Sequence, residues 1–73
     1  MVISKFNTII QQYRIKDREL GVASGYLAPS LINSFLSGEI SPSKETAMRL
    51  RSGLLSLGIP ESEVSQIFEE KYP

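Results

Sequence analysis

The chain has no cysteine and no histidine. Without cysteine, no disulfide staples the fold and no thiolate holds a metal. Without histidine, the commonest metal ligand and the commonest general base are both missing. No glycine-rich phosphate loop and no convergent carboxylate pair stands out either, so no catalytic residues, no metal and no cofactor are expected. No apolar run approaches the roughly 20 residues that a membrane helix needs. Met1–Ile10 carries polar residues throughout its apolar pattern, which is unlike a secretory leader. These absences lead to the expectation of a soluble, cytoplasmic protein with no membrane partner.

A chain of 73 residues is expected to form one small domain, 1–73, with modest stability, because it leaves a large share of its surface exposed. Net charge is zero but unevenly spread. Lys5, Arg14, Lys16 and Arg18 stand against Asp17 and Glu19 in the first 20 residues, and Lys44, Arg49 and Arg51 against Glu45 in 44–53. Glu61, Glu63, Glu69 and Glu70 face only Lys71 in the tail. The first 53 residues thus sum to +3 and the rest to −3. A basic face with an acidic end is permitted, but the excess is far below that of a strongly basic nucleic-acid binder.

Five short apolar-periodic runs are separated by Gly, Pro and Ser. Val2, Ile3, Phe6, Ile9, Ile10 and Tyr13 recur at spacings of three and four, predicting a first helix over Ile3 to Tyr13 with Asn7, Gln11 and Gln12 on its outer face. A second helix is predicted over Asp17 to Ser24, capped by Asp17 and stopped at Gly25. Pro29 suits the first position of a third helix. Leu27 and Ile32 are spaced as a hydrophobic staple before and inside it, Phe35 and Leu36 complete its buried stripe, and Gly38 ends it. Ser43 is placed to cap a fourth helix from Lys44 to Leu57, with Ala47, Leu50, Leu54 and Leu57 inward and Gly58 as the stop. A fifth helix follows Pro60, with Val64, Ile67, Phe68 and Tyr72 inward and the glutamates outward.

The fold class expected is therefore all-α, a compact five-helix bundle. Its central stretch, Asp17 to Gly38, has the pattern of a helix-turn-helix. Such a unit places its second helix in the DNA major groove. That role requires one apolar, anchored face and one face of short polar side chains, so that the backbone approaches base edges closely. In the third helix Ile32, Phe35 and Leu36 supply the anchor, and Ser30, Asn33, Ser34 and Ser37 the outward face. Asn pairs bidentately with adenine, and Ser serves base or phosphate.

These residues resemble the phage-repressor and Cro family of XRE-type helix-turn-helix proteins. The matching features are Leu20-Gly21 in the second helix, Gly25 and Leu27 in the turn, Ile32 and Phe35 as anchors, Ser37-Gly38 at the end, and Pro42-Ser43 opening the next helix. The resemblance covers roughly Phe6 to Ile59. It implies a lambda-repressor-like bundle and a transcriptional regulator of phage or bacterial type that reads a half-site of double-stranded DNA, as a homodimer on a two-fold site. It also implies base contacts from Pro29, Ser30, Asn33 and Ser34, with phosphate contacts from Ser37 and the first turn of the second helix. Lys44 and Arg51 share a helical face, and Arg14, Lys16 and Arg18 lie nearby in sequence before it, so these cations could grip phosphate beside the third helix; the alternative is that Lys16, Arg18, Lys44, Arg49 and Arg51 are scattered solvent charges.

The chain departs from the pattern at three places. The turn is one residue longer, with Tyr26 as the extra residue. Asp17 stands where Gln is frequent, and Glu39 where Lys or Arg is frequent. Both carboxylates would repel phosphate, and the third helix carries no Lys or Arg. The alternative function is a protein-interaction module, an adaptor or inhibitor, with Tyr26, an exposed Leu31 and the acidic fifth helix as its interface. Tyr26 itself is open to three roles: a lid on the core, an interface anchor, or a base-stacking group.

Overall fold

A computed structural model describes residues 1–68. Among these, the secondary structure is entirely helical: α1 (Ile3–Gln12), α2 (Asp17–Ala23), α3 (Pro29–Ser37), α4 (Lys44–Ser56) and α5 (Glu61–Ile67). No helix among them is long and apolar enough to cross a membrane. The expected roles of Glu69, Glu70 and Tyr72 fall outside the described residues. The helices α1, α2 and α4 each end one residue before the predicted limit, with Tyr13, Ser24 and Leu57 as cap residues.

Helix ends leave backbone groups unpaired, and this chain satisfies them in a repeated way. After α1, the Ile15 amide donates to Ile10 O and the Arg14 amide to Gln11 O, with Arg14 left-handed at φ 53°. After α3, Glu39 and Gly38 bond back to Ser34 and Phe35; after α4, Ile59 and Gly58 bond back to Leu54 and Leu55. These paired bonds form the Schellman closure. At the N-termini, Ser43 Oγ accepts from the Thr46 amide at 3.2 Å. The predicted cap Asp17 is instead the first residue of α2. Lys16 takes the cap position, and its amide donates to Glu19 Oε1 at 3.4 Å. Asp17 and Glu19 still favour this end of α2, because carboxylates oppose the positive pole of the helix dipole.

The core is one cluster drawn from every helix. Phe6, Ile9, Leu20, Ile32, Phe35, Leu50, Leu54, Val64 and Ile67 are buried, and Ile10, Ile15 and Ile59 close its edges. Val2, Ile3 and Tyr13, predicted on the buried stripe of α1, lie exposed at its rim. Leu36 and Leu57 are half-buried against the cluster. Leu31, expected to be exposed, is also half-buried there. It precedes Ile32 on the flank of a helix whose apolar face is wider than a two-residue stripe.

The backbones of α2, its following turn and α4 approach one another closely. A Cβ added at Gly21 would stand 2.2 Å from Leu27 O, and one at Gly53 would stand 2.3 Å from Ser24 Oγ and 2.9 Å from Ser24 N. Arg49 of α4 fastens the same region, its Nε donating to Ser24 O at 3.1 Å and its Nη2 to Gly25 O. A guanidinium at this point neutralises the negative pole of α2 as well as its free carbonyls. Arg51 pairs with Glu61 at 3.2 Å. Arg49 and Arg51 are therefore not the scattered solvent charges of one expectation, nor is Arg51 the phosphate-gripping partner of Lys44 of the other. Both arginines hold helices together because each extends along α4 to a neighbouring element.

Candidate nucleic-acid interface

The polar face of α3 begins at Pro29, the first helical residue, whose missing N–H costs nothing there. Pro29, Ser30, Asn33 and Ser37 are exposed. Ser30, Asn33 and Ser37 lie three and four residues apart, so they form one stripe. Ile32 and Phe35, both buried, hold the opposite side. Ser34 is half-buried rather than fully outward, and its Oγ donates to Ser30 O at 3.1 Å. Ser37 Oγ donates to Ser34 O at 3.0 Å and accepts from the Glu39 amide at 3.4 Å. Both hydroxyls are thus spent partly on the helix itself. The Asn33 side chain makes no hydrogen bond among the described residues, so its full amide edge, one acceptor and two donors, is available to a ligand.

The far end of α3 is fixed from α1. Asn7 Nδ2 donates to Leu36 O at 2.8 Å and to Ile3 O at 3.0 Å. This overturns the placement of Asn7 on an outer face. It sits beside the apolar stripe of α1, at the edge where α3 crosses, and satisfies a carbonyl that the helix end leaves free. Gly38 closes α3 at φ 80°, with Ile3 against it.

Of the cations expected at phosphate, Arg14, Lys16 and Arg18 before and at the start of α2 and Lys44 at the start of α4 are exposed, whereas Arg51 is half-buried and paired with Glu61. Lys16, Arg18 and Lys44 have no ion-pair partner among the described residues, although Asp17 and Glu19 share the turn with Lys16 and Arg18 and offset their charge at longer range. Glu39 is exposed just beyond Gly38. Lys44 and Arg51 border one shallow groove with Ala47, Met48 and Phe68.

Sequence reasoning missed two residues that position this face, Asn7 and Arg49. Periodicity reports where a residue lies on its own helix. It carries no signal for a side chain that serves a carbonyl of another.

The turn before α3 differs from the closures after α1, α3 and α4. After Gly25 (φ 88°) comes a second left-handed residue, Tyr26 (φ 67°). Gly25 N bonds Val22 O as in the common motif, but the longer bond to Gly21 O is made by Leu27, at 2.8 Å, one residue later than elsewhere. Tyr26 is the residue that this delay accommodates, and it is 84% exposed. That placement excludes the core-lid role. No family model, no curated protein and no solved structure matches the chain.

Proposed function

We propose that this chain is a small DNA-binding protein of the lambda-repressor-like helix-turn-helix type. In this reading α2 and α3 form the motif, and α3 enters the major groove of a half-site to regulate transcription. The observation that carries the reading is the two-sidedness of α3. Ile32 and Phe35 anchor one side, while Asn33 and Ser30 stand outward with side chains short enough for close approach. Asn33 reads adenine, with Pro29, Ser30 and Ser34 beside it. Lys16, Arg18, Lys44 and Ser37 meet phosphate, and a homodimer on a two-fold site supplies the affinity that a few phosphate contacts per protomer lack.

The test is binding to mixed duplex DNA across a salt series, followed by selection of preferred sequences. Three cations per protomer predict log K falling against log salt with a slope of about −3 per half-site. Lys44→Ala lowers that slope by about 1 and weakens all sequences alike. Asn33→Ala relaxes adenine preference at one position, at a cost of about 1–3 kcal/mol. Undetectable or salt-insensitive binding at low salt rejects the reading.

A second reading, a protein-interaction module on the same fold, is favoured by Asp17 and Glu39 at the phosphate-facing ends and by the exposed apolar side chains of Val22 and Met48. It predicts no DNA binding, and loss of partner capture on Met48→Ala. Leu31 drops out of that surface because the core half-covers it.

A further inference from the structure

We propose that Tyr26 is a DNA-contacting residue, its phenol donating a hydrogen bond to a backbone phosphate beside the half-site. The inference rests on the DNA reading above and adds a contact of a different kind. Three observations support it. Tyr26 occupies a left-handed backbone conformation that glycine or asparagine adopts at less cost. Its ring buries almost nothing in return, being 84% exposed, and its hydroxyl makes no hydrogen bond among the described residues. Neither core packing nor turn geometry therefore explains an aromatic here.

The turn that carries it is also held on both sides. Arg49 binds the carbonyls of Ser24 and Gly25, the Leu27 amide binds Gly21 O, and at Gly21 and Gly53 the neighbouring chain packs too closely to admit even a Cβ. A side chain on a fixed backbone loses little freedom on binding, and tyrosine has few torsions to lose.

Location gives the ligand. Tyr26 lies three residues before Pro29, hence within about 10 Å of the first residue of the proposed reading helix. In that pose the N-terminal end of α3 is innermost, and the segment just before it passes the sugar-phosphate backbone. Tyrosine hydroxyls are among the groups that bond phosphate oxygens there. The contact is neutral, so it adds affinity without releasing a counterion. It supplies what a chain with zero net charge, and with carboxylates at Asp17 and Glu39, lacks in cationic contacts.

The experiment compares wild type, Tyr26→Phe, Tyr26→Gly and Lys44→Ala on one selected duplex, titrated at several salt concentrations. Tyr26→Phe keeps the ring and loses the donor, and it is expected to weaken binding about three- to tenfold with an unchanged salt slope. Lys44→Ala instead flattens the slope. Tyr26→Gly is expected to lose at least as much affinity while raising the unfolding midpoint, which separates the contact from any folding defect. If wild type binds DNA and Tyr26→Phe binds equally well, the Tyr26 contact is wrong and the DNA reading stands. If wild type binds no duplex, both fall. If Tyr26→Phe leaves DNA affinity intact while Tyr26→Gly shifts the monomer–dimer equilibrium in sedimentation, the residue is a protein contact and the inference is overturned.

Discussion

Gly21 and Gly53 show how little slack single positions have around the turn. At Gly21 the obstacle to a side chain is a backbone carbonyl, Leu27 O, which also lies beside the start of α3. Gly21→Ala must therefore move the chain rather than a rotamer. It is expected to destabilise the protein by about 1–3 kcal/mol in urea unfolding, with the slope m unchanged; an unaltered midpoint would contradict the packing described. The pairing of Leu20 with Gly21 was visible as a family-like pattern, but its reason is tertiary. The same holds for Asn7 and Arg49, whose polar atoms serve Leu36, Ser24 and Gly25. Ser24 is only 3% exposed and its hydroxyl is unpartnered, lodged where α2 meets Gly53. Nothing in its sequence neighbourhood marks it as buried.

Element boundaries were far more legible, because local chemistry sets them. Pro29, Ser43 and Pro60 open helices, and Gly38 and Gly58 close them with φ near 80–90°. These residues act through backbone geometry and nearest amides, which sequence records directly. The miss at α2 has the same origin. Asp17 and Lys16 both precede a helical run, and only the fold decides that Lys16 takes the cap dihedral (ψ 148°) while Glu19 reaches back to it. The capping of α4 is testable at this scale. Ser43→Ala removes the acceptor for Thr46 N and is expected to cost about 1 kcal/mol in thermal or urea unfolding, while Ser43→Asp retains most of it. The two-sided character of α3 was legible too, since Ile32 and Phe35 are spaced as anchors. The half-burial of Leu31 and Ser34 was not, because the width of a buried face depends on what crosses it.

Across the whole molecule, α1 is held at both ends by the last described helix. The Val2 amide donates to Ile67 O at 2.7 Å, and the Tyr13 hydroxyl donates to Glu63. That bond to a carboxylate, with smaller contributions from burial and from the carboxylate's charge, raises the Tyr13 phenol above its ordinary pKa of 10.0. The sign follows from linkage: the unfolded chain loses this proton first, so the stabilisation is complete below the unfolded pKa. It is lost as pH climbs through the higher folded value. Wild type and Tyr13→Phe should thus differ in denaturant midpoint near neutral pH and converge in strong alkali. Absorbance titration should show one tyrosine ionising late in wild type and not in the variant.

The Val2–Ile67 bond has a consequence for synthesis. A ribosome makes α1 first, yet the partners that bury Phe6 and Ile9 include α3 and α5, and α5 is made more than 50 residues later. A nascent chain halted at Gly58 would hold α2 and α4 together but leave one flank of α1 uncovered. The first helix waits for the fifth, so the domain is expected to fold as one cooperative unit after Ile67 has emerged, rather than element by element from its N-terminus.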